Sequence, residues 1–272
     1  MFAKKNCAVV IPIYQTSIST LEEIALKQCR SILSTHDIIV VKPETLNLTD
    51  CETDLSFITS QISFNDHFFE GIKGYNALML SADFYSSFFN YEYILIYQLD
   101  AFVFKNDLDQ WCAEGWDYIG APWFRKKQFP GAFKNFKERI RCYLHRRYNF
   151  LNKDGLPDSE RQMTNQVGNG GLSLRSVNRF HQLCISNQNL ISSYLEKETS
   201  HYNEDIFWSL ELNRKTKKLR IPPMEKALYF AVETEPERAF KLMNNELPFG
   251  CHAWDKNLDF WRPYIKTAGY RV

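Results

Sequence analysis

The sequence predicts an α/β fold built on a central, mostly parallel β-sheet. Three observations carry this. Residues 7–14 (CAVVIPIY), 37–41 (DIIVV) and 93–97 (YILIY) are short apolar runs rich in β-branched residues, the pattern of strands covered on both faces. A stretch of helical period lies between the first two, as in a strand–helix–strand unit. The 272 residues, 44% hydrophobic and 24% charged, allow one large domain or two small ones and exclude global disorder.

The elements follow in order. After 7–14, Thr20 is placed as a helix N-cap, with Glu23 completing a capping box. Leu21, Ile24, Ala25, Cys29, Ile32 and Leu33 then recur at helical spacing. The strand at 37–41 ends at Pro43, and residues 44–66 are polar and mixed. Residues 68–89 read as helical around Tyr75, Ala77, Leu78 and Leu80. The strand at 93–97 runs into Gln98-Leu99-Asp100 and a second apolar run at 101–104. A short helix is expected over 108–116, started by Asp107 and Asp109, and a short strand over 117–119. Residues 167–174 form a glycine-rich turn entering a strand. Helices are expected around 177–186 and 204–212, and short strands and loops over 219–272.

Composition excludes some functions. Charge is balanced at 33 Lys+Arg against 32 Asp+Glu, unlike the basic excess of a nucleic-acid binder. The seven cysteines are odd in number with no CxxC pair, so neither a disulfide framework nor a zinc site is suggested, and a reducing cytoplasm fits best. The first apolar run is too short to span a membrane and lacks a signal-peptide cleavage region. Residues 125–161 stand apart: eleven Lys/Arg face four acids, interleaved with Phe129, Phe133, Phe136, Ile140, Tyr143 and Leu144. This reads as a basic amphipathic insertion. It could be a solvated hairpin, a membrane-surface contact or a lid over a phosphate-bearing acceptor.

Four groups could carry chemistry. Asp100 emerges from a strand end, where α/β sheets place ligands. It either caps the following turn or holds a divalent ion on a diphosphate. Gly168-Asn169-Gly170-Gly171 lets backbone approach a ligand closely, or is only a tight turn. Asn203-Glu204-Asp205 either caps the helix it opens, with acids suited to its first turn, or presents a general base. His252, after Gly250 and beside Trp254, could complete an Mn²⁺ site with Asp100.

Taken together, VVIPIY (9–14), GYNALMLS (74–81), YILIYQLDAFVF (93–104), WDYIGAPW (116–123), VGNGGLSLR (167–175), NEDIFW (203–208) and PFGCHAW (248–254) resemble the DUF5672 family of glycosyltransferase-like proteins. The resemblance implies a single GT-A-like domain over 1–272. Its parts would be a nucleotide-binding half (1–124), the basic helical insertion (125–166) and an acceptor-binding half (167–272). It implies a hexosyltransferase-like enzyme of polysaccharide biosynthesis, inverting and assisted by Mn²⁺ or Mg²⁺. The enzyme would move sugar from a nucleotide-sugar donor to a glycan or lipid-linked acceptor. Pro12, Ile13, Tyr14, Tyr75, Asn76 and Gln98 would bind nucleotide, with Tyr14 stacking. Gly170, Gly171, Trp123 and Trp254 would meet sugar and acceptor. Asp100 and His252 would hold the metal, and Asp205, with Glu204, would supply the base. Gln98 stands where the family's DxD metal motif has its first aspartate, so the site loses one charge. The alternative reading is a nucleotide- or glycan-binding module without turnover. No nucleic-acid partner is expected. The location expected is cytoplasmic, with peripheral contact on the inner membrane face through 125–161.

Overall fold

The computed structural model describes residues 4–124, 131–197 and 199–272. Among these residues the main sheet has six strands in the order β3-β2-β1-β4-β9-β6. These are β1 (Lys5–Pro12), β2 (Asp37–Pro43), β3 (Ser60–Phe64), β4 (Tyr91–Tyr97), β6 (Tyr118–Ile119) and β9 (Leu172–Ser176). Strands β1 to β4 run parallel, and β9 is antiparallel to both β4 and β6. Between them in the chain lie β5 (Phe102–Val103) and the pair β7 (Pro122–Trp123) and β8 (Gln166–Val167).

Both faces of the sheet are covered, as the unbroken apolar runs require. Val9, Ile11, Leu95 and Tyr97 face one core, under α1 (Thr20–Leu33) and α4 (Leu108–Ala113). Ala8, Val10, Ile94 and Ile96 face the other, under α2 (Gly71–Met79), α3 (Ala82–Ser86), α6 (Val177–Ser186) and α7 (Gln188–Leu195). The basic segment holds α5 (Ala132–Tyr148). Its expected residues at 125–130, Phe129 among them, lie outside the described residues.

Several expectations are corrected. The N-cap of α1 is Ser19 rather than Thr20. Its Oγ accepts from Glu22 N–H at 3.3 Å, and Glu22 accepts from Ser19 N–H at 2.7 Å. Serine and threonine are adjacent here, and a capping box shifted by one residue is equally well formed. Strand β3 was hidden in the polar stretch because it is an edge strand with exposed Ser60 and Gln61. Asp107 sits at the N-cap of α4 but makes no side-chain cap bond, while Asp109 turns to Asn6 and His36. The last fifty residues hold three helices instead of mainly loops: α9 (Met224–Phe230), α10 (Pro236–Leu242) and α11 (Leu258–Thr267). Pro236 occupies the first turn of α10, where a missing N–H breaks no helical bond.

A second, three-stranded sheet positions the site. β11 (Gly250–Cys251) lies between β10 (Ala231–Val232), parallel to it, and β5, antiparallel to it. The segment after β11 is thereby drawn against the segment before β5 and the one after β10.

Candidate active site

The strand order reverses between β1 and β4, and ligands in open α/β sheets bind at such a point. At the carboxyl ends of these strands lies a cleft of about 470 Å³ lined by Pro12, Tyr14, Tyr75, Gln98, Leu99 and Asp100. Tyr14 stands at its rim, 58% exposed. The Tyr75 hydroxyl is buried and has no hydrogen-bond partner among the described residues, and burial raises its pKa.

Two of the expected nucleotide contacts are elsewhere. Ile13 is fully buried among core residues, so its side chain does not face the cleft. Asn76 is buried and turned to the chain at 203–204. Its Oδ1 accepts the Glu204 N–H at 3.0 Å, and its Nδ2 donates to Asn203 Oδ1 at 3.3 Å. The expected cap of the 204 helix is therefore supplied by Asn76 from α2, while Asn203 makes no side-chain cap bond.

The small sheet gathers Asp100, Glu233 and His252. His252 Nε2 lies 3.0 Å from Asp100 Oδ1 and 3.2 Å from Gln98 Oε1, and Nδ1 lies 3.3 Å from Glu233 Oε1. Burial works against the charged ring, but the hydrogen bonds to Asp100 and Glu233 outweigh it and lift the pKa to about 9. Burial would likewise raise Asp100, yet bonding to His252 holds its carboxyl below the usual range. Glu233 carried no sequence signal, because only the pairing of β10 with β11 brings it to His252.

Asp100, Gln98 and His252 are the residues that could hold a divalent cation. Their carboxylate and amide oxygens converge on the His252 ring, and such a donor set suits Mn²⁺ or Mg²⁺ when substrate phosphate completes it and the cation displaces the ring proton. Among the described residues, no group of three or more His, Cys, Asp or Glu could hold a metal by itself.

The glycine turn joins this half to the carboxylates. Gln98 N–H donates to Gly171 O at 2.9 Å. Asn169 adopts a left-handed φ of 60°, and its Oδ1 accepts Gly171 N–H at 3.0 Å. A Cβ on Gly171 would come within 1.9 Å of His252 Nε2, and one on Gly170 within 2.1 Å of Glu204 Oε1. Adjacent glycines therefore touch the two chemical groups from one turn. Trp123 is half-buried with its ring against Gly168. Trp254, expected to meet sugar, is fully buried near Phe102 at 6.0 Å between ring centroids. An indole packed in the core has no face left for a ligand.

The first turn of α8 (Glu204–Ile206) carries the acids and continues into a π-helical turn at Phe207–Glu211, a widening often found at functional sites. Glu204 is buried. Its Oε1 pairs with Arg175 at 3.0 Å, while Oε2 is without a partner among the described residues. Arg175 is itself fully buried, bonded also to Ser173 and Tyr85 and lying over the rings of Tyr118 and Phe180. Burial opposes its charge, but the neighbouring Glu204 carboxylate keeps it protonated. Removing one partner of such a pair typically destabilises by about 3–5 kcal/mol. Asp205 is half-buried. Burial first, and then the charge of Glu204, push its pKa up to about 7.

The DUF5672 family model, described as a protein of unknown function, matches residues 59–252. No curated protein sequence matches the chain. Among solved structures, the galactosyltransferase LgtC, in complex with donor and acceptor sugar analogs, superposes with a TM-score of 0.53 and 11% identity. The match covers 90% of this chain and 86% of that one. Mouse xyloside xylosyltransferase 1 in its apo form gives 0.50 and 12%, covering 91% and 97%. The fold is the GT-A-like α/β fold expected from the sequence.

Proposed function

The chain belongs to the DUF5672 family, and from that premise and the geometry of its cleft we propose that it is a glycosyltransferase. It moves a sugar from a nucleotide-sugar donor to a hydroxyl of a glycan or lipid-linked acceptor. The observation that carries this reading is the glycine turn. Gly171 faces the ring that can bear a metal-held diphosphate, and Gly170 faces Glu204, the neighbour in sequence of the candidate base Asp205. The turn thereby holds the two groups on either side of the place where a sugar would react.

In this reading Tyr14 stacks on the base at the cleft rim, while Tyr75 and Gln98 border the path toward the diphosphate. A divalent cation held by Asp100, His252 and Gln98 would supply Lewis-acid stabilisation of the leaving diphosphate. Asp205 accepts the proton of the attacking hydroxyl, since a base works best with a pKa near the working pH. Glu204 is committed to Arg175 and positions the turn. Proton removal from the acceptor during a single in-line displacement would invert the anomeric centre. The product anomer, read by NMR, tests that step separately.

The reading is tested by calorimetry with Mn²⁺ and uridine or guanosine diphosphate. Wild type should bind, and Asp100→Ala should abolish binding while remaining folded by circular dichroism. Unchanged affinity in a folded variant would remove Asp100 from the site. Donor binding without turnover on any glycan acceptor would favour the binding-module reading.

A further inference from the structure

Among the described residues the outward face of α5 is open to solvent, and its composition is specific. Phe133, Phe136, Ile140 and Tyr143 recur at i, i+3, i+7 and i+10 and are 80%, 61%, 44% and 56% exposed. That spacing forms one stripe along a helix. The inward face is held by buried Glu138 and Cys142. Exposed Lys134, Lys137, Arg139 and Arg141 flank the stripe. The one acid of the helix, Glu138, points inward and is neutralised by Arg161 at 2.6 Å and Arg141 at 3.5 Å.

The helix is also fixed in place. Arg214 donates to the carbonyls of His145 and Arg146, and Arg147 donates to the Arg214 carbonyl at 2.8 Å. A guanidinium on the last carbonyls satisfies groups the helix leaves open and favours its dipole. The apolar stripe is therefore presented by a docked helix. Among the described residues, no helix is long and apolar enough to cross a membrane.

We propose that α5 is an interfacial membrane-docking helix for bilayers rich in anionic lipid, inserting Phe133, Phe136, Ile140 and Tyr143 between headgroups. Charge complementarity selects this occupant. Aromatic and aliphatic side chains on one face with basic residues along their borders suit an anionic interface. A second copy of the chain would bring basic borders against each other. The proposal does not depend on the glycosyl-transfer reading.

Co-sedimentation with phosphatidylcholine vesicles, with and without phosphatidylglycerol, tests it. Binding should rise at least about tenfold with the anionic lipid, since each basic residue near such a surface adds substantially to affinity, and should fall as salt is raised. The combined variant Phe133→Ser and Phe136→Ser should lose binding. So should Lys134→Glu with Lys137→Glu and Arg139→Glu. All five side chains face solvent, and circular dichroism confirms that the fold is kept. The proposal is overturned if folded wild type ignores anionic vesicles, or if variants bind as wild type does. It is also overturned if sedimentation velocity shows that the stripe holds a dimer that does not bind vesicles.

Discussion

A carboxyl group with a pKa of about 7 is divided between its two forms at neutral pH, and Asp205 is such a group. Its base form grows as pH rises, so kcat/KM should climb through about pH 7. Asp205→Asn is nearly isosteric and should lower turnover by about 10²–10⁴. A loss of only a fewfold would assign Asp205 to the helix start alone. The same group has a stability signature. Its folded pKa lies above the ordinary value, so its favourable contribution is complete below about pH 4 and is lost as pH rises toward 7. The loss amounts to about 1.4 kcal/mol per pH unit. Asparagine carries no such dependence. The melting temperature of Asp205→Asn should therefore draw ahead of wild type between about pH 4 and 7, then hold a constant lead. Parallel curves across that range would show that the carboxyl is not held in its neutral form. The acid itself was legible in NEDIFW as a base candidate. Its raised pKa was not, because that depends on burial and on the Glu204 carboxylate beside it, itself paired with Arg175 from 29 residues away in sequence.

At the scale of elements, the glycine turn makes a two-sided prediction. Gly171→Ala places a methyl where His252 Nε2 now lies, so the ring must leave Asp100 and Gln98. Affinity for Mn²⁺ with diphosphate should fall by about 10–100-fold, the usual effect of disturbing the support of a metal ligand. Gly170→Ala instead meets Glu204. It should lower turnover while leaving diphosphate affinity near wild type. Equal losses of affinity in both variants would mean that the turn acts as one structural unit. Calorimetry and initial rates on the two proteins decide between these outcomes. The pattern GNGG announced a close backbone approach. What approaches was not announced, since His252 reaches the turn through β11 and Glu204 through α8. The Asn76 bond to Glu204 shows the same limit. Asparagine beside a helix start reads as its cap, and here the capping side chain comes from 128 residues away.

At the scale of the whole molecule, the cleft joins the ends of β1 and β4 to α2, so a ligand there ties the first half of the chain together. Binding to the native state alone stabilises it by about 2.7 kcal/mol at a hundredfold excess over Kd. For a chain of this size that is roughly 5–10 °C in melting temperature. Uridine or guanosine diphosphate with Mn²⁺ should produce such a shift, measured by scanning calorimetry, and neither component alone should match it. No shift with either nucleotide would count against a nucleotide site in this cleft. The buried strands, the opening strand–helix–strand unit, the strand-end position of Asp100 and the basic helix were determined by the sequence itself. Those features follow from local periodicity and from apolar runs that must be covered. The meeting of Asp100, Glu233 and His252, the burial of Trp254, the pairing of Arg175 with Glu204 and the open face of α5 were decided by tertiary structure. Each depends on which strands pair and which helix face finds a partner, and those contacts join residues too far apart in the chain for any local pattern to record.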